Sequence, residues 1–243
     1  MVTGASAGIG RATALAFARA GAHLALADVD AERGAEVAAE AAALGVRSVF
    51  VATDVADEAA VGRLVDATVE EFGGLDFAFN NAGIEGATAM TADAARADWD
   101  RVLAVNLTGV WLCMRAELPA MLRRGGGAIV NCASVAGLVG FAGSGPYVAS
   151  KHGVVGLTKA TALEYATAGV RVNAVCPGVI DTEMVRRFTR AVPGSEEQLR
   201  AAEPVGRLGR AEEVADAVLW LCGDRSGFVT GHALAVDGGY VAR

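Results

Sequence analysis

Tyr147 and Lys151 stand four positions apart, and Ser134 lies thirteen positions before the tyrosine. On a helix, residues i and i+4 share one face. A free phenol has a pKa of about 10 and is a poor base near neutrality. An ammonium fixed beside it favours the phenolate, so such a phenol can accept or donate a proton at ordinary pH. A serine hydroxyl in the same pocket would hold a substrate oxygen. The same spacing also occurs in solvent-facing pairs, where it contributes only about 0.2–0.5 kcal/mol. The elements that carry these residues decide between the two readings.

A second constellation opens the chain. Thr3-Gly4-Ala5-Ser6-Ala7-Gly8-Ile9-Gly10 runs straight into a helical pattern over Arg11–Ala20. Glycines let a backbone approach a pyrophosphate, and a helix N-terminus offers free N–H groups and partial positive charge. The spacing is G-x-x-x-G-x-G rather than the general dinucleotide fingerprint, and alone it also fits a tight turn. Asp28 ends the next β-rich run. An acid there can bond the adenosine-ribose hydroxyls and repel a 2′-phosphate. Neither Ala7 nor Val29 is the Arg or Lys that such a phosphate needs. NAD is therefore expected over NADP, the alternative being that Asp28 caps a turn.

Short β-rich runs alternate with helical patterns along the rest of the chain. Strands are expected over His23–Asp28, Ser48–Ala52, Phe77–Asn80, Ala128–Cys132, Val170–Cys176 and Ala233–Val236. Helices are expected over Ala31–Leu44, Glu58–Phe72, Asp98–Leu122, Pro146–Ala168 and Ala211–Cys222, with Pro119 kinking or breaking the third of these. In Glu58–Phe72, Val61, Leu64, Val65, Thr68, Val69 and Phe72 fall on one helical face. This alternation implies an α/β fold with a parallel sheet and helices on both faces. There is no internal repeat or linker, so 1–243 reads as one domain. Thr182–Gly209 is the least regular stretch, with Pro193 and Pro204, and is expected to be a substrate lid.

Composition removes other classes. Of 243 residues 53% are hydrophobic and 20% charged, enough apolar mass for a doubly covered sheet. A net charge of −7 without basic runs argues against nucleic acid. Gly125–Ser150 carries no charge but is broken by glycines, Asn131 and Pro146, so no membrane span is expected. No secretory leader pattern is visible. Cys113, Cys132, Cys176 and Cys222 form no C-x-x-C pair and the three histidines are scattered, so no metal site is expected. Buried thiols in a reducing, cytoplasmic setting fit best.

The glycine loop, the acid and the Ser, Tyr and Lys, in this order, resemble the short-chain dehydrogenase/reductase family along essentially the whole chain. Further family-like motifs are Asp54-Val55, Asn80-Asn81-Ala82-Gly83, Val105-Asn106-Leu107, Pro177-Gly178 and Val236-Asp237-Gly238-Gly239. The resemblance implies a Rossmann-like, doubly wound single domain. It implies that Gly4, Ser6, Gly8, Ile9, Gly10 and Asp28 bind the dinucleotide and that Asp54 and Val55 contact the adenine. Asn80 would line the cofactor cleft, while Ile180 and Thr182 would meet the nicotinamide end. Ser134 would orient the substrate oxygen and Tyr147 would exchange its proton. Lys151 would bind the nicotinamide ribose and tune the tyrosine, and Asn106 would hold a water linking Lys151 to solvent. Family members are commonly homotetramers, packed through the two long helices. From the residues themselves, Asn80 and Asn81 also read as ties between strands, and Asp237 as structural.

One departure from the family pattern is the run before Gly4, only Met1, Val2 and Thr3. A strand typically needs about five or six residues, so the natural start is expected to lie upstream. Val135, Ala136, Leu138, Phe141, Val179, Met184 and Phe188 are expected to wall the pocket, implying a small to medium hydrophobic or alicyclic secondary alcohol or ketone. Arg186, Arg187 and Arg190 form either an anion-attracting patch or a solvated face. A competing activity is an NADPH-type 3-oxoacyl thioester reductase, against which Asp28 counts. A non-catalytic NAD-sensing protein would usually lack Ser, Tyr or Lys. A sugar-nucleotide epimerase would need a larger C-terminal region.

Overall fold

The computed structural model describes residues 1–191 and 194–242, apart from the side chains of Phe188, Ala191, Ser195 and Glu196. Its centre is a seven-stranded sheet in which every pairing is parallel. The strands are β1 (Val2–Thr3), β2 (Leu24–Asp28), β3 (Ser48–Ala52), β4 (Phe77–Asn80), β5 (Gly127–Cys132), β6 (Val170–Pro177) and β7 (Ala233–Val236), in the order β3-β2-β1-β4-β5-β6-β7. The order reverses between β1 and β4. In doubly wound, Rossmann-like sheets, ligands bind beyond the carboxyl ends of the strands at that switch point. Three of the expected strands, over 48–52, 77–80 and 233–236, coincide with the observed ones.

Helices α1 (Gly8–Arg19), α2 (Ala31–Ala43) and α3 (Glu58–Phe72) form the crossovers of the first half. Asp30 and Asp57 start the latter two, their carboxylates accepting from Arg33 N–H and from Ala59 and Ala60 N–H. The long apolar helix divides into α4 (Arg96–Leu103), a π turn at Ala104–Thr108 and α5 (Gly109–Arg124). Pro119 does not end it: the helix runs five residues further, with Leu118, Ala120 and Met121 packed in the core around the proline. The irregularity falls instead at the π turn, which contains Asn106.

Helix α6 (Gly145–Tyr165) carries the Tyr and Lys, and α9 (Ala211–Cys222) lies against α1 on the other face. Two apolar clusters sandwich the sheet. One gathers Leu64, Met114, Met121, Ile129 and Val154; the other Leu15, Leu26, Phe79, Val218 and Leu221. The stretch expected to be irregular, Thr182–Gly209, contains two helices, α7 (Glu183–Ala191) and α8 (Ser195–Ala202). Their shortness and the surrounding glycines and prolines hid them from a periodicity reading, and Pro193 lies outside the described residues. Strand β1 is two residues long at the centre of the sheet, and the Met1 amine donates to Phe77 O at 2.8 Å. Among the described residues no helix is long and apolar enough to cross a membrane.

Candidate active site

The ends of β1 and β4 are tied together by side chains. Asn81 donates through Nδ2 to the Thr3 and Gly4 carbonyls, both at 3.1 Å. Its own N–H, and that of Ala82, donate to Thr3 Oγ1 at 3.0 and 3.1 Å. Gly4 and Gly8 adopt φ of 62° and 52°, a region that L side chains rarely enter. Ala7 begins α1 without a side-chain cap, which leaves the helix N-terminus open to an anion. A Cβ on Gly8 would lie 3.2 Å from Thr182 Cγ2, so the loop and the segment after β6 leave a backbone-width gap. That cradle fits a dinucleotide pyrophosphate.

Both oxygens of Asp28 are oriented by the backbone. Oδ2 accepts from Ser6 N–H at 2.9 Å and Oδ1 from Asp30 N–H at 3.1 Å. The carboxylate is half-buried beside the glycine loop and shapes the turn there. Asp54 is exposed and accepts from Ala56 N–H. The Val55 side chain is buried beneath α5, packed with Val61, Leu112 and Cys113, which leaves its backbone to the cleft side. Asn80 departs from the expectation. Its side chain is 1% exposed and donates to Glu117 Oε2 and Asn131 Oδ1, so it faces the core rather than the cleft.

Ser134 follows β5 and begins a 3₁₀ turn at Val135–Gly137, its Oγ accepting from Ala136 N–H at 3.1 Å. The hydroxyl proton remains for another oxygen. A Cβ on Gly137 would lie 2.7 Å from Lys151 O, so this turn packs backbone to backbone against α6. Tyr147 sits in the first turn of α6, half-buried. Lys151 is 3% exposed, and its Nζ donates to Cys132 O at 2.8 Å while lying 5.5 Å from the Tyr147 ring centroid. The end of β5 thus supplies both the serine and the acceptor that fixes the lysine. Burial pushes the Cys132 thiol up, with the Lys151 ammonium pulling the other way. Burial likewise pushes Cys176 up to about 12, so neither is an active nucleophile.

Asn106 is fully buried in the π turn. Its Oδ1 accepts from Ile84 N–H at 2.8 Å, and its Nδ2 donates to Ile84 O at 2.9 Å. The side chain therefore clamps the segment after β4. A Cβ on Gly83 would sit 3.4 Å from Asn106 Oδ1 and 3.6 Å from Lys151 Nζ, so only a glycine separates the two residues.

The expected substrate wall is only partly assembled. Ala136 and Val135 are buried, and Ala136 serves Ser134 through its N–H. Phe141 and Met184 are half-buried, and the Phe188 side chain lies outside the described residues. Ile180 is 5% exposed and packs in the core, with Gly209 pressed against it. Tyr240, which no local motif singles out, stacks on Phe141 with centroids 5.7 Å apart. Helix α7 is tied down by ion pairs: Arg33 to Glu183 at 2.8 Å, Arg187 to Glu85 at 3.0 Å, and Arg186 to Asp181 at 2.8 Å. Arg186 and Arg187 of α7 thus already have carboxylate partners.

A family model described as "Enoyl-(Acyl carrier protein) reductase" matches residues 4–241. The chain is 43% identical over 243 residues to the cyclohexanol dehydrogenase of Acinetobacter sp. (strain SE19), covering 100% of this chain and 94% of that protein. It is 46% identical over 242 residues to the cis-4-hydroxycyclohexanecarboxylate dehydrogenase of Sinomonas cyclohexanicum, covering 100% and 96%. The crystal structure of levodione reductase superposes with a TM-score of 0.94 at 39% identity, over 99% of this chain and 96% of that one.

Proposed function

The chain belongs to the short-chain dehydrogenase/reductase family and is an oxidoreductase of secondary alcohols and ketones, and we propose that it uses NAD to oxidise alicyclic secondary alcohols. The observation that carries the reading is the Lys151 ammonium held between Cys132 O and the Tyr147 ring, beside Ser134. When bound, the nicotinamide accepts or returns the hydride. Ser134 Oγ–H donates to the substrate oxygen and fixes it. Tyr147 takes the hydroxyl proton in oxidation and returns it in reduction. Lys151, fixed by Cys132 O, holds the nicotinamide ribose and keeps positive charge beside the phenol. Asn106 clamps the loop around Gly83, and a proton path from Lys151 runs past the main chain of the π turn. Thr182 and the backbone near Ile180 flank the nicotinamide end, and Asp54 and the Val55 backbone flank the adenine.

Phe141, Met184 and Leu138 form an apolar wall, and segment 182–209 acts as a lid. Two of the relatives are named for cyclohexane-type alcohols, which suits such a wall. Pairing of Arg186 and Arg187 with acids leaves little for an anionic thioester carrier. Exposed Trp111 on α5 and Leu163 on α6 suit a homotetramer packed through those helices. The four buried, unpaired thiols suit a reducing cytoplasm. The direct test follows absorbance of the reduced nicotinamide with NAD and NADP against cyclohexanol, substituted cyclohexanols and linear alcohols. Turnover only of 3-oxoacyl thioesters with NADPH would sink the proposal.

Cofactor choice has its own test. Asp28→Ala is expected to narrow the NAD over NADP preference in kcat/KM by roughly tenfold or more, since hydrogen bonds to a carboxylate and a like-charge repulsion change together. Asp28→Asn keeps an acceptor for the Ser6 N–H and separates charge from loop geometry. An unchanged ratio in both variants removes Asp28 from the account.

A further inference from the structure

The side chains of Glu117, Asn80, Asn131 and Thr158 form one buried polar chain through α5, β4, β5 and α6. Glu117 is 0% exposed, and Asn80 and Asn131 are 1% and 0% exposed. Asn80 Nδ2 donates to Glu117 Oε2 at 3.0 Å and to Asn131 Oδ1 at 3.1 Å. Asn131 Nδ2 donates to Thr158 Oγ1 at 3.0 Å and contacts Met114 Sδ at 3.2 Å. Both amide protons of Asn80 are thus in use. Two buried acceptors remain without a partner, Asn80 Oδ1 and Glu117 Oε1. A buried unpaired acceptor is costly, and an ionised carboxylate left half-satisfied costs more.

A single proton resolves both. On Glu117 Oε1 it turns an orphaned acceptor into a donor, and the acceptor that lacks a partner is the other end of the amide that Glu117 already holds. We propose that Glu117 is a neutral carboxylic acid that closes a second hydrogen bond onto Asn80 Oδ1, and that this acid–amide pair is a positioning element for the reaction centre. The route to the site is short. Asn131 precedes Cys132, whose carbonyl accepts from Lys151 Nζ. Thr158 lies two helical turns beyond Lys151 on α6. The pair therefore sets the register of β5 against α6 where the lysine is anchored. This positioning half rests on the proposed role of Lys151.

The surroundings favour the neutral form. Burial pushes the Glu117 carboxyl up to about 7, against the Asn80 hydrogen bond and the nearby Met1 amine. The facing titratable groups are that amine, just before β1, and the Cys113 thiol one turn away on α5; burial lowers the first and raises the second, so both tend to neutrality. The sign of the linkage follows. A carboxyl with a folded pKa above its unfolded value of 4.5 binds its proton more tightly when folded. Its contribution is fully present below 4.5 and is lost as pH rises to about 7.

The test uses the full chain labelled with ¹³C at glutamate Cδ, without substrate, so that its outcome is independent of the assigned activity. One glutamate resonance is expected to titrate near neutrality and to vanish in Glu117→Gln. Glu117→Gln, a neutral isostere, is expected to fold, to keep kcat and to flatten the fall of Tm between pH 5 and about 7 that the raised pKa produces. Glu117→Leu, which removes the hydrogen bonding between Glu117 and Asn80 and leaves Asn80 only its bond to Asn131, is expected to lose roughly tenfold in kcat through misplacement of the lysine, and to weaken NAD binding with it. Titration of every glutamate in the ordinary acid range, or a Glu117→Gln chain destabilised at all pH values, overturns the neutral acid. Full kcat in Glu117→Leu overturns the positioning role. If the leucine variant does not fold, the wild-type resonance and Glu117→Gln decide.

Discussion

Tyr147→Phe is expected to lower kcat by about 10²–10⁴, the range that one positioned acid or base supplies, while NAD binds nearly as in the wild type. The reason lies in what phenylalanine keeps. Lys151 Nζ is anchored on Cys132 O and lies 5.5 Å from the tyrosine ring centroid. The phenyl ring preserves that cation–ring contact, so the lysine stays in place to hold the cofactor. Only the hydroxyl is lost, and with it the route for the substrate proton. Ser134 still has the Ala136 N–H on its oxygen, so substrate orientation survives. Single-turnover reduction of NAD measures the chemical step, and quenching of tryptophan fluorescence measures cofactor affinity. Turnover within a few-fold of wild type would refute the role assigned to Tyr147. A parallel loss of NAD binding would mean that the ring, not the hydroxyl, was the important part.

Gly10→Ala is expected to destabilise the fold by about 3 kcal/mol or more and to abolish NAD binding in whatever chain remains folded. A methyl there would run into the Gly4 carbonyl oxygen and lie 2.6 Å from Asn81 Nδ2. The first obstacle is backbone, so no rotamer change relieves it. The second is the side chain that joins the ends of β1 and β4. Overpacking of a filled site typically costs about 1–3 kcal/mol, and here the displaced atoms are the loop itself. Chemical denaturation and cofactor titration provide the readouts. Gly62→Ala on α3, where a Cβ meets nothing within 4 Å, is the matched control. Equal behaviour of the two variants would show that the loop tolerates a side chain.

Much of this was legible in the residue order. The strand runs at 48–52 and 77–80 and the helix at 58–72 were readable because their hydrophobic periods are regular and their ends carry caps such as Asp57 and Gly73. At other positions the direction of the side chain was not legible. Val55 and Asn80 sit in motifs beside the cofactor cleft, yet their side chains turn into the core. Whether a residue at a strand end faces cleft or core depends on the pleat, and a motif does not record it. Asn106 was found by motif, but its clamp on Ile84, 22 positions away, required the π turn to be seen. Tyr240 against Phe141, Arg33 against Glu183 and Glu85 against Arg187 are pairs of distant residues without a shared motif.

The sequence by itself determined the type of chemistry. An i, i+4 Tyr and Lys, a serine after a β run, a glycine-rich helix start and an acid at the next strand end are local features, fixed by backbone periodicity and side-chain type. The tertiary structure decided how they meet. It brought the Cys132 carbonyl to Lys151, set the Ser6 N–H on Asp28, and closed Glu117, Asn80, Asn131 and Thr158 into one buried chain. Those contacts depend on which strands become neighbours. Strand order is set by the burial of two apolar faces across the whole sheet, a global condition that no local stretch of residues expresses.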